Sequence, residues 1–305
     1  MAVRLLIISS CPQECVRYIY RDLVGVNMKT ATGGLKKLLD LTSRKQFVNG
    51  KPQQQVIACI LRPSEDGADC ITTSLVRDGK TSLARFSIGA EWGSDEEGIV
   101  IPDIERLVGV LSAHSGEVNL THTSDGIGKL KVKSGKKQTT LTAEAGGLAF
   151  PHSNETIGQW EEKSLGLSAQ ITEGGYSMRD GSLREPFFTA SLPCSELWSA
   201  LHCDHINSQK LNRYTFRYEG HNLSLDVGDH LKGQTNIHLL EYDSESNVED
   251  WESTFEGGLE NIVSQYSGEA HLHFLDFRPE GQGIRLIVRF DNGDWVYQAS
   301  VLKRA

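Results

Sequence analysis

Apolar residues recur at helical spacing four times along this chain, and each time runs of alternating apolar and polar residues follow. In "TGGLKKLLDLTSRKQ", Leu35, Leu38 and Leu39 share one helical face with Thr42 below them, while Lys36, Lys37, Asp40 and Arg44 fall on the other. Three strand-like runs come next, "QQQVIACILRP", "DCITTSLVRDGKTSLARFSIGA" and "GIVIP", with a hairpin turn at Arg77-Asp78-Gly79-Lys80. "IPDIERLVGVLSAHSG" predicts a second helix whose apolar stripe is Ile104, Leu107, Val108 and Leu111. Pro102 suits its first turn and Gly116 its C-terminal cap. The strands "EVNLTHT", "GKLKVKS" and "KQTTLTA" close this half. From Glu144 to Pro186 the periodicity stops, and Phe150, Ile157 and Trp160 are isolated among Gly, Ser and Glu. That stretch reads as a long connector holding one or two strands.

The pattern then restarts. "PCSELWSALHCDH" is a helix resting on Leu197, Ala200 and Leu201, followed by strands "LNRYTFRYEG", "HNLSLDVGD" and "TNIHLLEYD". "EGGLENIVSQYSG" is a helix using Leu259, Ile262, Val263 and Tyr266. "EAHLHFLDF", "GIRLIVRFD" and "DWVYQASVL" are strands, with a turn at Asn292-Gly293. Each half therefore reads helix, strands, helix, strands. "HSGEVNL" at Ser115–Glu117 and "YSGEAHL" at Ser267–Glu269 mark the same corner twice, where a helix stops and a strand starts. The expected fold is a duplicated α+β domain. Its parts are an N-terminal extension over 1–29, a first domain over 30–149, the connector over 150–186 and a second domain over 187–305.

Composition narrows this little further. With 38% hydrophobic and 23% charged residues the chain is globular, and no apolar run approaches the length of a membrane span. The apolar patch at Leu5–Ile8 is too short for an export signal, and Met28 reads as an alternative start. Six scattered cysteines without a C-x-x-C pair argue for a reducing cytoplasm rather than a disulfide framework. A net charge of −9 excludes wholesale coating of nucleic acid but leaves room for a local basic surface.

Enzyme signatures are weak. Gly79-Lys80-Thr81 ends like a phosphate loop, but Ser74 stands where its first glycine belongs and the flanks are strands. The glycines at Gly126 and Gly281 lack the third glycine and the following helix of a dinucleotide fingerprint. "HCDH", His202 to His205, is the best metal candidate, and it lacks a further ligand pair. No cofactor, metal or catalytic residue is assigned, and the chain is read as a non-enzyme.

The duplicated order resembles that of the DNA polymerase sliding clamps, above all the two-domain type of the T-even phages and the proliferating cell nuclear antigen family. "GGLKKLLDL" resembles the first clamp helix. "PDIERLVGVLSAHSGEVNLTHTSDGIGKLKVKSGKKQTTLTA" resembles the second helix and closing strands of a phage clamp's first domain. "FFTASLPCSELWSALHCDHI" resembles the opening of its second domain, and "GIRLIVRFDNGDWVYQASVL" the closing hairpin. The likeness spans roughly residues 30–305 and lies in order and pattern rather than in an invariant motif.

The resemblance implies a processivity factor: a homotrimeric ring of viral or phage type around double-stranded DNA, with helices lining the hole and antiparallel sheets outside. It implies a DNA polymerase and a clamp loader as partners, no membrane, and the cytoplasm of the cell in which replication occurs. Lys36, Lys37, Arg44 and Lys45 are the expected phosphate contacts, joined by Arg106. The second half carries Glu196, Ser199 and His202, then Glu260, Asn261 and Ser264, where a basic stripe is expected, and Lys210 and Arg213 are read as compensating. A partner peptide is expected near Phe150, Val301 and Leu302. The competing readings are a clamp-fold processivity or regulatory subunit that forms no ring, and an unrelated duplicated α+β protein with a metal site.

Overall fold

The computed structural model describes residues 26–48, 51–76, 80–93, 98–123, 129–142, 154–203, 213–229, 233–242, 248–256 and 258–301. The first half opens with β1 (Val26–Ala31), whose alternate residues are buried, and runs directly into α1 (Thr32–Ser43). Leu35, Leu38 and Leu39 seat α1 on the core. The short hairpin β2 (Gln46–Val48) and β3 (Lys51–Gln53) follows, then β4 (Cys59–Ser64), β5 (Gly67–Val76), β6 (Lys80–Ile88), β7 (Ala90–Trp92) and β8 (Ile99–Ile101). The second helix, α2 (Ile104–Leu111), is capped by Asp103, whose Oδ1 accepts from the Arg106 N–H at 2.9 Å, so Pro102 sits just ahead of the cap. The half closes with β9 (Glu117–Thr123), β10 (Lys129–Ser134) and β11 (Lys137–Thr142).

The connector holds more structure than its pattern announces: a helix, α3 (Asn154–Ser168), and a small sheet of β12 (Ile171–Thr172), β13 (Gly175–Ser177) and β14 (Leu183–Arg184). The second half is β15 (Phe188–Pro193), α4 (Cys194–His202), β16 (Arg213–Glu219), β17 (Asn222–Asp229), β18 (Gly233–Glu241), β19 (Trp251–Glu256), α5 (Leu259–Val263), β20 (Glu269–Phe277), β21 (Gly283–Phe290) and β22 (Trp295–Ala299). The expected helices are present, but α2 and α5 are shorter than their sequence patterns. The Arg77–Gly79 turn lies outside the described residues; the Asn292-Gly293 turn is formed, with Gly293 at φ 84°.

The strands form a five-stranded sheet, β11-β10-β9-β1-β7, a four-stranded sheet, β18-β17-β16-β19, and an eight-stranded sheet, β15-β20-β21-β22-β6-β5-β4-β8, that runs through both halves. The duplication is visible bond by bond. At the first Ser-Gly-Glu corner the Thr32 N–H donates to the Gly116 carbonyl at 2.8 Å; at the second, the Cys194 N–H donates to the Gly268 carbonyl at 2.8 Å. Ala31 pairs with Glu117 across β1 and β9, and Pro193 with Glu269 across β15 and β20. Gly116 and Gly268 both have positive φ, 72° and 96°, which glycine adopts without strain. A Cβ at Gly268 would also lie 2.2 Å from Asp291 Oδ2. Residues 26–29, read from the sequence as the end of an extension, lie in β1, a central strand that pairs on both sides, with β9 and β7.

One apolar core runs through both halves, from Leu35 and Leu107 to Phe216 and Phe274. Two smaller clusters lie on the other face of the long sheet. Leu83, Leu275, Phe277, Ile287, Trp295 and Tyr297 are covered by Ile171, Tyr176 and Met178 of the connector, and Ile157 of α3 covers Ala58, Ile60 and Val100.

Candidate nucleic-acid interface

Four helices pack on the side of the sheets away from the connector. α1 lies against α2, and α4 against α5. α1 also reaches α5 across the boundary between halves. Lys37 Nζ donates to the Gln265 carbonyl at 2.5 Å and stands 4.9 Å over the Tyr266 ring, while Asn261 Nδ2 donates to the Lys45 carbonyl at 2.9 Å. The contacts thus run α2, α1, α5, α4, and the polar faces of these helices form one continuous surface.

The expected DNA contacts have different fates on that surface. Lys36 is half-buried and its Nζ donates to Ser112 Oγ of α2 at 3.3 Å. Lys37 is exposed and joins the two halves as described. Lys45 is exposed beside Asp40, Nζ to Oδ1 3.6 Å. Arg106 is exposed on α2. Arg44 does not belong to the set. It caps α1 in the left-handed conformation, φ 45°, with 4% of its surface exposed. Its Nη1 donates to the Ser82 carbonyl at 2.8 Å and Ser74 Oγ at 3.2 Å, and its Nη2 to Thr72 Oγ1 at 2.6 Å and to the Thr72 carbonyl. Burial without a carboxylate partner lowers its pKa to about 9. The reason is geometric: once the chain leaves α1 through a left-handed residue, helical periodicity no longer says where the side chain points.

In the second half Arg213 is exposed and ion-paired with Glu256 on the neighbouring strand β19, away from the helix surface. Lys210 lies outside the described residues, as do Phe150 and Leu302. Val301 is half-buried, and its N–H donates to the Thr254 carbonyl of β19 at 2.7 Å. The helix surface here is not basic. His202 Nδ1 and Glu260 Oε1 are 2.7 Å apart, and the His202 ring stacks at 4.9 Å on Trp198, an exposed aromatic that the sequence pattern passes over. Of the "HCDH" stretch, Asp204 and His205 lie outside the described residues, and no cluster that would hold a metal ion occurs among the described ones.

Among the described residues the surface therefore carries cations at Lys36, Lys37, Lys45 and Arg106 against Asp40 and Glu105 in the first half, and Glu196 and Glu260 with His202 in the second. Such a face suits contact with phosphates through point charges, without base reading. Its cationic density is concentrated on α1 and the exposed side of α2. No helix among the described residues is long and apolar enough to cross a membrane.

No family model matches the chain, and no curated protein matches it in sequence. Solved structures do match. The beta sliding clamp of C. crescentus, at 14% identity and TM-score 0.54, aligns over 98% of this chain and 69% of its own. The PCNA of A. fulgidus, solved with the C-terminal region of FEN-1 bound, aligns over 92% of this chain and 100% of its own, at 15% identity and TM-score 0.51. The PCNA2–PCNA3 complex of Sulfolobus tokodaii aligns over 90% and 98%, at 15% identity and TM-score 0.50. The chain thus spans about two-thirds of the bacterial clamp and nearly all of the archaeal ones. At these identities the likeness is one of fold: the chain has the fold of the DNA polymerase sliding clamps.

Proposed function

We propose that this protein is a non-enzymatic processivity factor: three copies close head to tail around duplex DNA and tether a polymerase to it in the replicating cell's cytoplasm. The observation that carries the proposal is the junction between the two halves. β22, the last strand of the second half, pairs antiparallel with β6 of the first half, Trp295 opposite Arg85 through Gln298 opposite Ser82. The equivalent strands in the other halves are β11 and β18, and each is a sheet edge among the described residues. An unpaired edge is a pairing hazard. A head-to-tail contact that repeats the internal junction removes both edges and, with closure, gives a ring.

Repeating the internal register between copies predicts the contact. Laying the β9–β10–β11 hairpins on β20–β21–β22 places Gln138–Leu141 where Trp295–Gln298 stand. Laying β17–β18 on β5–β6 places Asn236–Gly233 where Arg85–Ser82 stand. Gln138 is then opposite Asn236, and Thr140 opposite Gln234, between neighbouring copies. The helix surface faces the hole, and Lys36, Lys37, Lys45 and Arg106 touch phosphates there, so that DNA contact falls mostly on the first half. Three copies are what the resemblance to the two-domain clamps implies, and coverage of nearly the full length of the archaeal PCNA chains supports that reading.

A partner peptide from the polymerase or the loader is expected on the outer side of the molecule near the connector and the C-terminal segment, beside the internal junction, whose own apolar cluster of Leu83, Trp295 and Tyr297 is already covered by the connector hairpin. Val301, expected in that role, is drawn instead toward β19 by its backbone bond.

Light scattering at micromolar concentration tests the ring, with an expected mass of three times 33.7 kDa; a monomer refutes it and leaves the reading of a clamp fold without a ring. Oxidation of a Thr140→Cys/Gln234→Cys double variant should give covalent trimers on a denaturing gel, and neither single variant should.

A further inference from the structure

The lysines of this chain are not concentrated on the helices. Five of its fifteen lie between residues 129 and 137, in a protein of net charge −9. Lys129, Lys131 and Lys133 alternate along β10 with Leu130 and Val132, which enter the core, so all three ammonium groups stand on the face of the sheet opposite the helices. Lys136 follows in the turn to β11 and is exposed. Alternate residues of a strand are about 7 Å apart, so the three β10 lysines form a straight row of about 14 Å.

The cross-strand neighbours of the row are neutral. Across β9 it faces Thr123, Thr121 and Asn119, and across β11 Thr142, Thr140 and Gln138. No carboxylate pairs with these lysines among the described residues. Lys29, two strands away, is treated differently, held by Glu91 at 3.5 Å and Glu117 at 3.1 Å. Like charges side by side on one sheet face repel, and an anion laid along β10 removes that repulsion.

The sister strand supplies an independent comparison. Superposing the two halves puts Arg285, Ile287 and Arg289 of β21 where β10 has Lys129, Lys131 and Lys133. There the face is covered: Ile287 is buried beneath the connector, Tyr176 stacks on Tyr297 at 5.8 Å, and Arg289 donates to the Thr172 carbonyl. The same place in the fold is an occupied docking face in one half and a bare cationic face in the other.

We propose that the outer face of β9–β10–β11 is a second nucleic-acid contact, binding the sugar–phosphate backbone of duplex DNA on the side of the molecule away from the helices. β9, β10 and β11 carry no Phe, Tyr or Trp, so no base is stacked there. Lysine ammonium groups flanked by hydroxyl and amide donors recognise evenly spaced anionic oxygens, and a phosphodiester backbone supplies them whatever the sequence. The contact needs neither ring closure nor threading.

A covalently closed plasmid distinguishes it from the hole, since a preformed ring cannot thread a closed circle. The full chain should retain such a plasmid on a filter at low salt. Lys129→Gln/Lys131→Gln/Lys133→Gln should lower the slope of log affinity against log salt by about 2.7, at about 0.9 per lost phosphate contact. The single Lys163→Gln change on the exposed side of α3 should leave the slope alone. Light scattering on the triple variant should give the wild-type mass, which separates failure of this contact from failure of the ring. If the triple variant does not fold, Lys131→Gln alone should lower the slope by about 0.9. Plasmid binding that the β10 changes leave intact overturns the proposal. So does a wild-type chain that binds a glutamate-rich peptide through these lysines and does not bind plasmid.

Discussion

Arg44 shows how one residue leaves a pattern. Helical spacing put it beside Lys36 and Lys37, and a left-handed cap turned it into the sheet, where it bonds to Thr72, Ser74 and Ser82. Arg44→Ala leaves those groups without their charged donor and should cost about 3 kcal/mol or more in urea unfolding, whereas Lys45→Ala, at the surface, should cost under about 1 kcal/mol. His122 makes a second residue-level case. It is 4% exposed on β9, and burial holds its pKa below the usual 6.5. A depressed folded pKa means that the unfolded chain binds the extra proton, so stability present above about pH 6.5 is lost as pH falls. Burial lowers the pKa of His273 as well. His122→Leu should therefore flatten, without abolishing, the fall in melting temperature between pH 7 and pH 5; an unchanged profile assigns that fall to other groups.

At the scale of elements, the helices with apolar stripes were legible and α3 was not. Among its described side chains the buried ones are Ile157, Glu161 and Ser164, so one of the three is apolar. Glu161 is held by Arg62 through two bonds of 2.6 and 2.7 Å, and Ser164 lies 2.6 Å from Thr73. A helix docked through polar pairs leaves little hydrophobic period to read. Glu161→Ala should cost about 1–3 kcal/mol of local stability and speed amide exchange in α3 before the rest of the chain; uniform exchange would show that α3 does not open by itself. On the helix surface, Lys36→Glu with Arg106→Glu should reduce polymerase processivity at moderate salt while keeping the mass of the assembly. Lys37→Glu also breaks the α1–α5 contact, so it should lower thermal stability as well as processivity. Processivity unchanged in both variants removes this face from the proposed DNA path.

At the scale of the molecule, the two halves share one core and one long sheet, and their union by β22 and β6 is the pattern proposed for union between copies. If the register is repeated, diluting the protein should dissociate it without unfolding either half, since each β11 and β18 edge is merely exposed; loss of secondary structure on dilution would mean that the halves depend on the neighbouring copy. The sequence by itself determined the duplication, the α+β class, the order of the elements and the corners at Ser-Gly-Glu, because these rest on apolar period and turn residues, which are local. Only the tertiary structure decided which cations reach solvent, that the connector folds back over the junction, and that β10 carries a bare lysine row where β21 is covered. Those depend on which surfaces meet across residues far apart in the chain, and no local period records that.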